Sequence, residues 1–132
     1  MASSSSLLSL FALLLLSRTA SAQFACGTND NATVCTALSS FYSSLGGASW
    51  TNSSGWGTDT SYCTPWVGLT CSNGSIIAIS FNTGTGNNLV GTLPDVFNAF
   101  SSTLQSFQVR SSSVTGALPP SFFNLHSQIT IV

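Results

Sequence analysis

Charge is what this sequence has least of. Lys, Arg, Asp and Glu together make up 4% of the 132 residues, against about 25% in an ordinary globular domain. Beyond a leader described below, the formally charged side chains are Asp30, Asp59, Asp95 and Arg110. No cationic patch is present to neutralise phosphates, so nucleic-acid binding is poorly supported. Docking on anionic membranes is disfavoured for the same reason. Histidine is nearly as scarce. His126 stands alone, with no carboxylate close in sequence to orient it as a general base, and reads as a loop residue. A glycosidase needs two carboxylates across a cleft. The aspartates offer little: Asp95 directly follows Pro94, where a turn or helix-start role is more natural. No catalytic residue, and hence no enzyme, is expected.

Long apolar runs are missing as well. Leu7-Leu8 and Leu10 through Leu16 form the main stretch, broken by Ser9, and it falls short of the roughly 20 residues that span a bilayer. Ala20-Ser21-Ala22 follows with the small-x-small pattern read by signal peptidase. Residues 1–22 are therefore expected to be a signal peptide, with cleavage after Ala22. The remaining chain is expected to be secreted, or to face outwards at the plasma membrane, with no membrane segment of its own.

What is present fits that destination. Four cysteines, Cys26, Cys35, Cys63 and Cys71, are an even count behind a leader and read as disulfides. Their spacings match no ordinary zinc pattern, so no metal and no cofactor is expected. Of three connectivities we favour Cys26–Cys35 with Cys63–Cys71; the crossed pairing, with Cys26 reaching Cys63, stays open. Three N-x-S/T sequons, at Asn31, Asn52 and Asn73, are candidate glycan sites. Val34, Ala37-Leu38, Phe41-Tyr42 and Leu45 recur at three- and four-residue steps. They predict an amphipathic helix of about 15 residues, capped by Asn31 or Thr33 and stopped at Gly46-Gly47. Trp50, Trp56 and Trp66 follow in a Gly/Ser/Asn-rich loop and are expected to bury themselves between the bridges.

The second half of the chain repeats itself. Leu89-Val90-Gly91-Thr92-Leu93-Pro94 is echoed by Val114-Thr115-Gly116-Ala117-Leu118-Pro119, with Phe97 answered by Phe122, Phe100 by Leu125 and Leu104 by Ile129. An apolar position, a glycine and a proline at one fixed period mark units that bury their apolar edges against neighbours.

These residues resemble extracellular leucine-rich repeat proteins of the plant type, including receptor ectodomains and polygalacturonase-inhibiting proteins. The likeness rests on Leu45-Gly46-Gly47, Trp50, Gly55-Trp56 and Cys63-x-x-Trp66-x-Gly68-x-x-Cys71. The repeat unit L-x-x-L-x-L-x-x-N-x-L-x-G-x-I-P is filled by Ile76, Ile79, Phe81, Asn87, Leu89, Gly91, Leu93 and Pro94. Leu104, Phe107, Val109, Ser112, Val114, Gly116, Leu118 and Pro119 fill it again. The chain departs from the family pattern in extra residues between Phe81 and Asn87 and in Ser112 at the asparagine position. The resemblance implies an α/β repeat: a leucine-rich repeat solenoid with a helical, disulfide-bonded N-terminal cap over residues 23–75. Repeats would follow over 76–132, two complete and a third broken off between Ile129 and Val132, as in a fragment of a longer receptor-like protein.

The function this implies is recognition of an extracellular protein, a peptide or a cell-wall polysaccharide on the concave strand face. There Ala78, Ser80, Asn82 and Thr83 would stand beside Ser106, Gln108, Arg110 and Ser111. Ser80, Asn82, Gln108 and Arg110 are the candidate binding residues. Arg110 leads, because only its guanidinium offers charge-assisted hydrogen bonds. An inhibitor of a secreted cell-wall-degrading enzyme and a structural or adhesive surface protein are the alternatives.

Overall fold

The computed structural model describes residues 23–125, apart from positions 65, 83 and 85. The expected signal peptide, Thr83, His126 and the third repeat copy lie outside the described residues.

The 3.6-residue periodicity of the first half produces helix α1, Ala32–Ser44. Asn31 caps it: its Oδ1 accepts from the N–H groups of Thr33 (2.9 Å) and Val34 (3.1 Å). The helix ends where Leu45 and Gly46 return their N–H groups to the carbonyls of Phe41 and Ser43. Ala37, Leu38, Phe41 and Leu45 form its buried stripe. The Cys26–Cys35 bridge ties its first turn to strand β1, Ala25–Cys26, which pairs in parallel with β2, Thr58–Thr60. Asp30 fastens the same corner, accepting from Gly27 N–H (3.0 Å), Tyr62 N–H (2.9 Å) and the Ser61 hydroxyl (2.7 Å).

Strands β3, Leu69–Ser72, and β4, Ser75–Phe81, form an antiparallel hairpin. Asn73 and Gly74 turn it with φ of 51° and 78°, the two left-handed residues that a tight hairpin turn matched to strand twist requires. The register shifts between Thr70, opposite Ala78, and Cys71, opposite Ile76. Ile77 is thus bulged, and Ile76 and Ile79 both face the core although three positions apart. Strand β4 pairs in parallel with β6, Ser106–Val109, and β5, Val90–Thr92, pairs in parallel with β7, Ser113–Thr115. Short 3₁₀ helices, Phe97–Phe100 and Pro120–Asn124, follow β5 and β7.

The core is aromatic. Phe41 of α1 meets Trp50, Trp56, Phe81 and Phe107, with ring centroids 6.1–6.4 Å apart. Phe97 meets Phe107 (5.3 Å) and Phe122 (5.0 Å) edge to face. All three tryptophans are buried, and each indole N–H finds an acceptor: the Leu45 carbonyl, the Val67 carbonyl and the Thr60 hydroxyl.

This architecture corrects the expectation of a leucine-rich repeat solenoid with a helical cap. The described strands fall into three small sheets, of two, three and two strands, and no solenoid is seen among the described residues. Two physical features account for it. The Asn73-Gly74 turn folds β3 back on β4, so the central sheet is mixed rather than a run of parallel copies. The parallel pairings also keep no common period, since Ala78 lies opposite Ser106 whereas Val90 lies opposite Ser113. Nor does α1 close one end of a stack. Phe41 reaches Phe107 on the far strand of the central sheet, so the helix stands within the shared core.

Candidate functional site

The candidate binding residues share the outer face of the central sheet because of strand alternation. Ile79, Phe81 and Phe107 point into the core, which sends Ala78, Ser80, Ser106 and Gln108 to the other side. Parallel register sets Ser80 opposite Gln108 and Ala78 opposite Ser106. Pairing runs one residue past β6, where the Arg110 N–H donates to the Phe81 carbonyl (3.0 Å). Exposed Asn82 sits just beyond β4, and its Nδ2 donates to Gln108 Oε1 (2.8 Å). Arg110 is exposed, and its guanidinium has no partner among the described residues. Ser111 then takes a left-handed φ of 49°, uncommon for a side-chain-bearing residue, and turns the chain away.

The face therefore presents an aligned row of neutral hydrogen-bonding groups with one positive charge at its end. The Asn82–Gln108 pair consumes one donor and one acceptor. It leaves the Asn82 side-chain oxygen and the Gln108 amide N–H₂ outside that bond, on residues neighbouring Ser80 in the sheet. Such a row can donate to and accept from hydroxyls or peptide groups, and the guanidinium can engage a carboxylate.

A concavity that the sequence did not announce adjoins this row. A cavity of ≈ 320 Å³ is lined by Asn52, Val67, Gly68, Ser80, Phe81 and Asn87, among others. Asn87, 5% exposed, clamps its rim. Its Oδ1 accepts from Asn52 N–H (2.7 Å) and its Nδ2 donates to the Asn52 carbonyl (2.9 Å). The asparagine position of the repeat motif was the available signal, but its partner lies 35 residues away. Ser112, the corresponding position of the second copy, makes no such clamp among the described residues. A second, more open hollow of ≈ 360 Å³ lies between α1 and the Phe97–Phe100 turn, beside Thr33, Ala37, Val96 and Ala99.

The four cysteines pair as Cys26–Cys35 and Cys63–Cys71, with no free thiol among the described residues. Bridges of this kind belong to an oxidising compartment. Asn31, Asn52 and Asn73 are all exposed. Asp95 serves neither the strand face nor the start of its own 3₁₀ helix. Its Oδ1 accepts from the N–H of Ser121 in the next one (2.9 Å), and the Ser121 hydroxyl accepts from Phe97 N–H (3.0 Å). The Ser121 hydroxyl, and after it the Ser121 N–H, hold the Asp95 carboxyl below its ordinary value.

No described group of three or more His, Cys, Asp or Glu side chains could hold a metal ion. No described helix is long and apolar enough to cross a membrane. Neither a protein-family model nor a curated protein matches the chain.

Proposed function

We propose that the chain is an extracellular recognition module. It binds a protein, peptide or cell-wall polysaccharide through the outer face of the β3–β4–β6 sheet and performs no chemistry on its ligand. The observation that supports this reading most is the aligned row Ser80, Gln108, Asn82 and Arg110. These are hydrogen-bonding side chains held in register by backbone pairing over an aromatic core. Ser80 and Gln108 sit on paired strands and Asn82 is tied to Gln108, so little backbone entropy is lost there on binding. The near absence of charge suits ligands rich in hydroxyl and amide groups, with Arg110 reading one acidic group. The disulfides suit an extracellular address.

The test is a binding screen with the immobilised full chain against arrayed cell-wall oligosaccharides and extracellular peptides, repeated with Gln108→Ala and Arg110→Ala. A ligand whose retention falls in both variants, but not in Ser101→Ala or Ser102→Ala beyond the Phe97–Phe100 turn, supports the reading. A ligand sensitive only to the latter pair removes the site from this face.

A further inference from the structure

Asn52 has three of its four polar groups engaged. Its N–H and carbonyl are clamped by the Asn87 amide (2.7 and 2.9 Å), and its Oδ1 accepts from the Ser54 N–H (3.0 Å). Only Nδ2 has no partner among the described residues. That nitrogen is the atom glycosylated in an N-x-S/T sequon, and Asn52-Ser53-Ser54 is one. Asn52 also lines the ≈ 320 Å³ cavity beside Ser80; Asn31 and Asn73 do not. The cavity wall is mostly apolar, with Val67, Gly68 and Phe81 in it and the hydroxyl-bearing residues Thr51 and Ser80 also lining it. This matches a pyranose, which offers an apolar C–H face and a hydroxyl rim.

We propose that this cavity seats the first N-acetylglucosamine of a glycan carried by Asn52. The inference rests on the extracellular reading above. In attachment, the Asn52 Nδ2 attacks the anomeric carbon of a lipid-diphosphate-linked oligosaccharide. The bond from that carbon to the phosphate oxygen breaks, and the lipid diphosphate leaves with the bonding pair. One Nδ2 proton passes to a base of the transferase. Substitution at Nδ2 spares Oδ1 and both backbone groups, so the Asn87 clamp closes around the modified residue on folding. The seated sugar would fill the hollow next to Ser80 and leave ligand contacts to Asn82, Gln108 and Arg110.

The experiment uses the full chain secreted from glycosylating eukaryotic cells. Peptide mapping should find Asn52 occupied. Peptide-N-glycosidase should release its glycan about tenfold more slowly from the native protein than from the reduced, denatured one, because the seat must open first. Nuclear Overhauser contacts should join the first sugar ring to the Phe81 or Val67 side chain. A bare Asn52 beside occupied Asn31 or Asn73 would overturn the inference and leave the extracellular reading intact. Equal release rates, or a sugar without contact to Phe81 and Val67, would overturn it too. Three bare sequons on the secreted chain would overturn the inference as well.

Discussion

Arg110 is the single described cation, and its position at the end of a neutral row defines what it can do. If the ligand carries a carboxylate or a buried acceptor there, Arg110→Ala should weaken binding by about 1–3 kcal/mol, read by calorimetry against the wild-type chain. Asn87 makes a different kind of contribution. Both ends of its buried amide hold the backbone of Asn52. Asn87→Ala should therefore destabilise the fold by about 1–3 kcal/mol by leaving those groups unsatisfied, measurable as a lowered urea midpoint. Asp95 couples stability to pH. Its folded carboxyl titrates below the unfolded one because the Ser121 hydroxyl and N–H stabilise the charge. Its contribution is complete above the ordinary carboxylate value and is lost as pH falls through the folded one. The stability gap between wild type and Asp95→Asn should be present at neutral pH and close in acid, as followed by urea unfolding. A gap unchanged across that range would show that the Ser121 contacts carry no charge-dependent stabilisation.

Among the elements, α1 shows how local signals and tertiary contacts divide the work. Its apolar spacing and the Asn31 cap are local, and Asn31→Ala in the unglycosylated chain should cost about 0.5–2 kcal/mol of stability in a thermal melt. The fit of the helix against β5 is not local. Gly91 has a φ of 134°, and a Cβ there would collide with the Ser44 carbonyl oxygen at the end of α1. Gly91→Ala should consequently destabilise by more than the 1 kcal/mol or so typical of glycine propensity effects, since neither backbone can yield without separating helix and strand. The repeat motif placed a glycine at this position; only the packed structure shows what it makes room for.

For the molecule as a whole, the two bridges act on one region. One ties α1 to β1 and the other ties β3 to the turn at Cys63, and all four cysteines belong to the disulfide-bonded first half of the chain. Each closes a short loop, which on the chain-entropy model is worth about 2–3 kcal/mol. Reduction should lower Tm sharply, and differential scanning calorimetry with and without thiol would measure the shift. Because Phe41 joins the disulfide region to the strand layers, heating of the oxidised chain should give one transition by both tryptophan fluorescence and far-ultraviolet circular dichroism. Two separated transitions would mean that the aromatic contacts do not couple the halves.

Sequence alone determined what depends on neighbours along the chain. The helix period, the asparagine cap, the even cysteine count and the alternation that turns Ser80 and Gln108 away from the core could all be read locally, because a side chain's direction follows from backbone period. The favoured cysteine pairing was legible for a related reason: short loops close at low entropic cost. Sheet composition was not legible. A motif read as a repeating parallel unit acquired an antiparallel neighbour through the Asn73-Gly74 turn, and the parallel strands chose registers with no common period. Register depends on which apolar faces meet across the core, and here Phe41, Phe81, Phe97 and Phe107 converge from distant parts of the chain. The hollow beside Ser80 was hidden for the same reason. Its walls come from residues 51–52, 67–68, 80–81 and 86–87, and only folding brings those four segments together.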